Sequence, residues 1–150
     1  MMKSRPPSPT VTPNEGASAL VWRVLGGLAL AIAALLAYSN SFRVPFVFDD
    51  LASIPNNPTI RSLGEAWWPP KGQGALTVAG RPGLNFSFGL NYALNGLDVG
   101  GYHVANFLIH VIAALALYGL IGRTLLRPPL AARFGRDARP LAFAVALLWI

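Results

Sequence analysis

Two blocks of this chain stay apolar for the length of a membrane crossing, and they constrain its fold more than any other feature. Leu20 to Tyr38 is interrupted only by Arg23 near its start. As a helix rising about 1.5 Å per residue, it spans the roughly 30 Å hydrocarbon layer of a bilayer. Tyr102 to Gly122 forms a second such block, and a third opens at Leu141 and is still apolar at Ile150. That last stretch covers about half a crossing. The expectation is an all-α, multi-span helical membrane protein, with this sequence as its N-terminal fragment. A cleavable signal peptide is the alternative for the first block, with Arg23 as the charged region and Leu35-Leu36-Ala37 at the cleavage point. The apolar run is longer than a typical signal core, and Leu35 is large where a small residue is expected, so an uncleaved anchor is preferred.

Charge follows the same blocks. The net charge is +6, but the basic residues are not gathered with aromatics on one surface, which argues against nucleic acid as a partner. Lys3, Arg5 and Arg23 precede or open the first span, and Arg123, Arg127, Arg133, Arg136 and Arg139 follow the second. Between the spans Arg43, Arg61, Lys71 and Arg81 are matched by Asp49, Asp50, Glu65 and Asp98. The denser basic clusters place the N-terminus and the Arg123 to Arg139 stretch in the cytoplasm and the first loop outside it. The expected organisation is a disordered cytoplasmic tail over 1–18, a first span over 19–38 and an extracytoplasmic loop over 39–101. A second span over 102–122, a basic cytoplasmic loop over 123–139 and the start of a third span over 140–150 follow. Without cysteine the loop has no disulfide framework.

A loop of this length usually carries function. Val44 to Phe48 is apolar and, with Pro45 inside it, reads as extended. Pro55-Asn56-Asn57-Pro58 is a turn cluster. Ser62 and Glu65 have capping-box spacing for a short helix closed by Trp67 and Trp68, two residues suited to the membrane interface. Lys71 to Gly80 has no pattern and does not resemble a phosphate-binding loop. Pro82 suits a first helical residue, and the apolar spacing from Leu84 continues that helix to near Gly96. Asp98 suits the cap of the helix that becomes the second span. Asn85-Phe86-Ser87 is a formal glycosylation sequon, discounted because it falls within a helix.

The adjacent acids Asp49 and Asp50 follow the aromatic run Phe46-Val47-Phe48. Such a pair is commonly solvated or helix-capping. Held at a membrane interface, partial desolvation would raise a carboxylate's proton affinity and suit it to general-base work. Arg81 is the counterpart, since a guanidinium can grip a lipid-linked phosphate with two parallel hydrogen bonds; pairing with headgroups or a loop acid is the competing role. His103, Asn106 and His110 share one face of the second span, either for interhelical hydrogen bonds or as the lining of a polar cavity. The two histidines stand about 10 Å apart along the axis, too far to share one zinc ion, so no metal site is expected from them.

Taken in order, Tyr38-Ser39-Asn40-Ser41, Phe46-Val47-Phe48-Asp49-Asp50, Asn57-Pro58-Thr59-Ile60, Arg81-Pro82, Leu90-Asn91-Tyr92-Ala93-Leu94, Gly101-Tyr102-His103, Asn106 and His110 form a specific combination. Over roughly Tyr38 to Arg123 the chain resembles the N-terminal part of the transmembrane and tetratricopeptide-repeat O-mannosyltransferases. Gly83 departs from that pattern, where the family usually has Leu, and the Pro-rich start with high Ala, Gly and Arg content looks more bacterial than animal. The resemblance implies a GT-C glycosyltransferase architecture in which many transmembrane helices surround an outward active site and the first long loop, with the short juxtamembrane helices read above, carries the key acids, here in an inner membrane if bacterial. It also implies a polyprenyl-phosphate sugar donor, a protein or glycan acceptor, membrane lipids as surroundings and C-terminal tetratricopeptide repeats. The divalent-metal requirement is left open. Carried over by motif onto Phe48, Asp49 and Asp50, Asp49 becomes the base and Asp50 its supporting residue; Arg81 would then stabilise the donor phosphate, His103 and Asn106 are second-rank candidates, and His110 joins them as a possible cavity-lining residue. The rival reading is a non-catalytic membrane anchor that presents a repeat domain to partners. Transport is weaker, because apart from His110 no ionisable residue stands at mid-membrane.

Overall fold

Capping and apolar periodicity resolve into seven α-helices in the computed structural model, which describes residues 13–68 and 78–150. They are α1 (Pro13–Tyr38), α2 (Asp49–Ser53), α3 (Leu63–Trp67), α4 (Pro82–Asn95), α5 (Val99–Leu125), α6 (Pro128–Phe134) and α7 (Ala138–Trp149). Short 3-10 turns occupy Ser41–Arg43 and Pro58–Arg61. Among the described residues there is no strand, so the expected all-α class holds.

Local chemistry explains most helix ends. Pro82 opens α4 with its preset φ, and Gly96 closes it at φ 61, a left-handed position that glycine adopts without a Cβ clash. Asp98 caps α5 as expected, its Oδ1 accepting from the Gly100 N–H at 3.1 Å. Ser62 does precede α3, but its side chain makes no capping bond, so the helix forms without the expected capping box.

Two boundaries differ from the sequence reading. The expected disordered tail over 1–18 is corrected at its inner end, because α1 begins at Pro13. Extending an existing helix costs far less than nucleating one, so the long apolar run carries a polar turn with it. Met1 to Thr12 lie outside the described residues, as do 69–77, which take in the first seven positions of the patternless Lys71 to Gly80 stretch. The basic stretch 123–139 is not a plain loop either. There α5 runs on to Leu125, and Pro128-Pro129 open α6 at the position where a missing N–H costs nothing.

The chain divides into two compact units, residues 1–33 with 114–150 and residues 34–113. In the first, α7 buries Ala138, Ala142 and Ala146 on one face, and Gly122 of α5 stands opposite Ala142. Small residues of this kind allow the close helix approach on which membrane bundles depend. In the second unit, Ile54, Ile60 and Tyr102 form the core, with Phe46, Phe88 and Tyr92 packed against it.

The two segments long and apolar enough to cross a membrane are Leu20–Tyr38 and Val99–Leu125, and only 11% and 6% of their apolar windows is buried. A core helix of a soluble domain would be mostly covered. Exposed apolar surface of this extent suits lipid as its solvent, as in a membrane protein.

Candidate functional site

The acid pair sits on a turn rather than in a plain loop. From Val44 the chain is extended, then Phe48 takes φ 48 and ψ −117, the single non-glycine positive φ among the described residues. The Asp50 N–H donates to the Val47 carbonyl at 3.0 Å, closing a tight turn whose second position normally asks for glycine. Holding phenylalanine there costs of the order of 1–3 kcal/mol. The Phe48 side chain is 90% exposed, so its own packing does not offset that cost.

The segment before the turn is fastened to α5. His103 Nε2 lies 2.9 Å from the Val44 carbonyl oxygen and donates to it, since a carbonyl only accepts. Phe46 packs edge-to-face on Tyr102, with ring centroids 5.4 Å apart. Tyr102 is itself buried and donates its hydroxyl to the Gly96 carbonyl at 3.1 Å.

Asp49 and Asp50 open helix α2 rather than lying in extended chain, and their surroundings differ. Asp50 is half-buried, and its Oδ2 accepts a long bond of 3.3 Å from the Val47 N–H, bracing the turn. Asp49 is exposed and makes no side-chain hydrogen bond among the described residues. Of the two acids it is the one open to solvent.

Where α2 ends at Ser53 begins an element that sequence reasoning missed. Asn57 Nδ2 donates to the Ser53 carbonyl at 2.9 Å and to Asn85 Oδ1 at 2.8 Å. Asn57 Oδ1 accepts from the Thr59 N–H at 3.0 Å and from the Thr59 hydroxyl at 2.7 Å. Asn85 Nδ2 then donates to Thr59 Oγ1 at 2.8 Å and to the Ala66 carbonyl at 2.9 Å. Both asparagines are fully buried. All four amide protons are used, so the knot binds the turns at 53–59 and the end of α3 to α4 without an unsatisfied donor. Burial also removes Asn85 from any glycosylating enzyme in the folded protein.

The remaining candidates are distributed around this frame. Arg81 is exposed just before α4, its N–H donating to the Val78 carbonyl at 2.9 Å, and among the described residues no ion pair joins it to Asp49 or Asp50. Beside it Trp67, Trp68, Gly80 and Pro82 line an open apolar cleft of about 260 Å³. Arg61, matched above only by charge, lies over the Tyr92 ring at 4.2 Å and donates to the Pro55 carbonyl at 2.8 Å. On the polar stripe, His103 holds Val44 and His110 meets Tyr38, with 3.4 Å from its Nε2 to the hydroxyl and an edge-to-face ring contact. Asn106, between them, is exposed.

No protein-family model and no solved structure matches the chain. Curated relatives do. It is 30% identical over 144 residues to protein O-mannosyl-transferase Tmtc3 of Drosophila melanogaster, covering 90% of this chain and 15% of that protein. It is 32% identical over 101 residues to protein O-mannosyl-transferase F38B6.6 of Caenorhabditis elegans, covering 62% and 15%. With mouse protein O-mannosyl-transferase TMTC1 the identity is 30% over 129 residues, covering 80% and 13%. These are animal proteins and lend no support to a bacterial origin. Two membrane-length helices, a long intervening segment and these alignments together make the chain a relative of the animal protein O-mannosyl-transferases over a segment about 15% of their length.

Proposed function

We propose that the chain is part of a membrane glycosyltransferase of GT-C type that transfers a sugar from a polyprenyl-phosphate donor to a hydroxyl of a protein or glycan acceptor, with inversion. In this reading the N-terminus is cytoplasmic, the segment between the spans faces outward, and tetratricopeptide repeats follow the membrane region. Asp49 takes the acceptor proton while the acceptor oxygen attacks the anomeric carbon. The bond from that carbon to the phosphate oxygen breaks on the opposite face, and the polyprenyl phosphate leaves with the electron pair. Arg81 stabilises the charge gathering on the phosphate, and the neighbouring tryptophan cleft offers apolar surface to the donor. Asp50 keeps the turn closed.

The observation that carries this reading is the turn at Phe48. A backbone held in a costly conformation presents one acid exposed and braces the other, while His103 and Tyr102 fix the lead-in to a long helix. Strain at such a position is a feature of sites where geometry matters more than stability. The test is transfer of labelled sugar from polyprenyl-phosphate donors by membranes containing the full-length protein, wild type against Asp49→Asn. Loss of transfer by two orders of magnitude or more at equal protein level is expected, in line with the removal of a general base. Normal transfer by the variant removes Asp49 from catalysis. Absence of transfer by the wild type across several donors favours the membrane-anchor reading.

A further inference from the structure

The first compact unit contains a feature that the proposed transfer reaction does not use. Arg23 of α1, Arg123 of α5 and Arg139 of α7 line one cleft of about 170 Å³, together with Tyr118, Gly27, Leu115 and other apolar residues. No carboxylate lines it. Arg23 stands near the beginning of one membrane-length segment and Arg123 near the end of the other, the positions at which helix ends meet lipid headgroups. Small residues let the helices meet around it. A Cβ on Gly26 would meet the Tyr118 hydroxyl oxygen at 2.6 Å, while one on Gly122, which lines the cleft, would stand at ordinary contact distance, 3.7 Å, from Ala142.

A second cavity adjoins the first. Trp22, Leu25, Ala29, Pro140 and Phe143 line an apolar groove of about 410 Å³ that shares Tyr118 and Arg139 with the arginine cleft. A concentrated positive charge beside an apolar groove matches an amphiphile with an anionic head. Three guanidiniums without carboxylate partners in the cleft call for a multiply accepting anion, and a phosphate oxygen set fits their planar donor pairs.

We propose that this paired cavity binds an anionic membrane phospholipid, the arginine cleft taking the headgroup phosphate and the groove one acyl chain. Basic pockets between membrane helices recognise anionic headgroups by this chemistry. The site is independent of Asp49 and Arg81, so it stands or falls apart from the transfer reaction.

The test is native mass spectrometry of the full-length protein in detergent micelles, titrated with phosphatidylglycerol or phosphatidylcholine of equal chain length. Wild type should retain phosphatidylglycerol at least tenfold more tightly. The double variant Arg123→Gln/Arg139→Gln should weaken it about twenty-fivefold, or about fivefold for each arginine removed. Arg133→Gln/Arg136→Gln removes the same charge outside the cleft and should change binding less than threefold. Ala29→Phe keeps every arginine and narrows the groove, so it tests the site even if the arginine variant fails to fold, and it should weaken phosphatidylglycerol several-fold. Equal loss in both arginine pairs, equal retention of the two lipids, or unchanged binding by Ala29→Phe would each overturn the proposal. Displacement of the lipid by millimolar inorganic phosphate would also overturn it, as that would make the cleft a free-anion site.

Discussion

Replacing Asn85 by alanine should be among the most damaging single changes in the segment between the two spans. The substitution deletes three buried hydrogen bonds, to Thr59 Oγ1, to the Ala66 carbonyl and from Asn57 Nδ2. Each is worth about 0.5–1.5 kcal/mol net, and groups left buried without a partner cost about 1–3 kcal/mol each. The Ala66 carbonyl and one Asn57 proton are orphaned together, which puts the loss at about 3–5 kcal/mol, a large share of the roughly 5–15 kcal/mol that stabilises a typical domain. Asn85→Asp should be at least as harmful despite its similar shape, because a carboxylate would face two acceptors. Ser87→Ala is the control: it removes the same sequon but only an exposed hydroxyl bonded to the Leu84 carbonyl, and should cost under about 0.5 kcal/mol. Hydrogen exchange of the Thr59 and Ala66 amides in the full-length protein reads the effect locally, with a thermal melt as the global measure. If Asn85→Ala leaves both amides as protected as Ser87→Ala does, the knot does not organise the segment.

Other consequences follow from single contacts. A Cβ on Gly89 would stand 2.6 Å from Ala66 Cβ, so Gly89→Ala should lower stability by about 1–3 kcal/mol through displacement of α3, seen as a lower melting temperature. Phe48→Gly should raise stability by up to about 1 kcal/mol, since the phenyl is exposed and the backbone strained; a lower melting temperature would refute the strain. Arg61→Leu loses both the stacking on Tyr92 and the bond to Pro55 and should cost about 1–2 kcal/mol, whereas Arg61→Lys should recover part of the stacking alone. His103→Leu should free Val44 and lower transfer more than it lowers the melting temperature.

What was legible in the sequence was local. Pro82, Gly96 and Asp98 mark helix ends through chemistry confined to one or two residues, and the apolar blocks declare themselves by length. The Asn57–Asn85 bond was not legible, because its partners are 28 positions apart and each has a sufficient local explanation. Asn57 reads as part of a turn cluster, and Asn85 as a sequon inside a helix. Helix α6 was obscured in the same manner: Pro128 and Pro129 look like breakers in a basic stretch, and only their place in the first turn makes them starters. The acid pair was legible as a motif. The left-handed Phe48 that presents it was not, since phenylalanine gives no hint of positive φ.

The knot and the turn explain one another. A strained turn persists only where its surroundings over-determine it. Here the lead-in is held by His103 and Tyr102, and α2 ends on Ser53, whose carbonyl accepts from Asn57. The two acids therefore lie between fixed points on both sides, one on the long helix α5 and one in the buried network under α4. A flexible loop carrying Asp49 would spread its carboxylate over several ångströms, and a misplacement of about 1 Å can cost a hundredfold in rate. On that reasoning Asn57→Ala, which touches neither acid, should reduce sugar transfer at temperatures where the protein is still folded, with the loss falling on the rate of transfer rather than on membrane insertion. Unimpaired transfer by a folded Asn57→Ala protein would mean that the turn holds its shape without the knot, and the coupling drawn between them would be wrong.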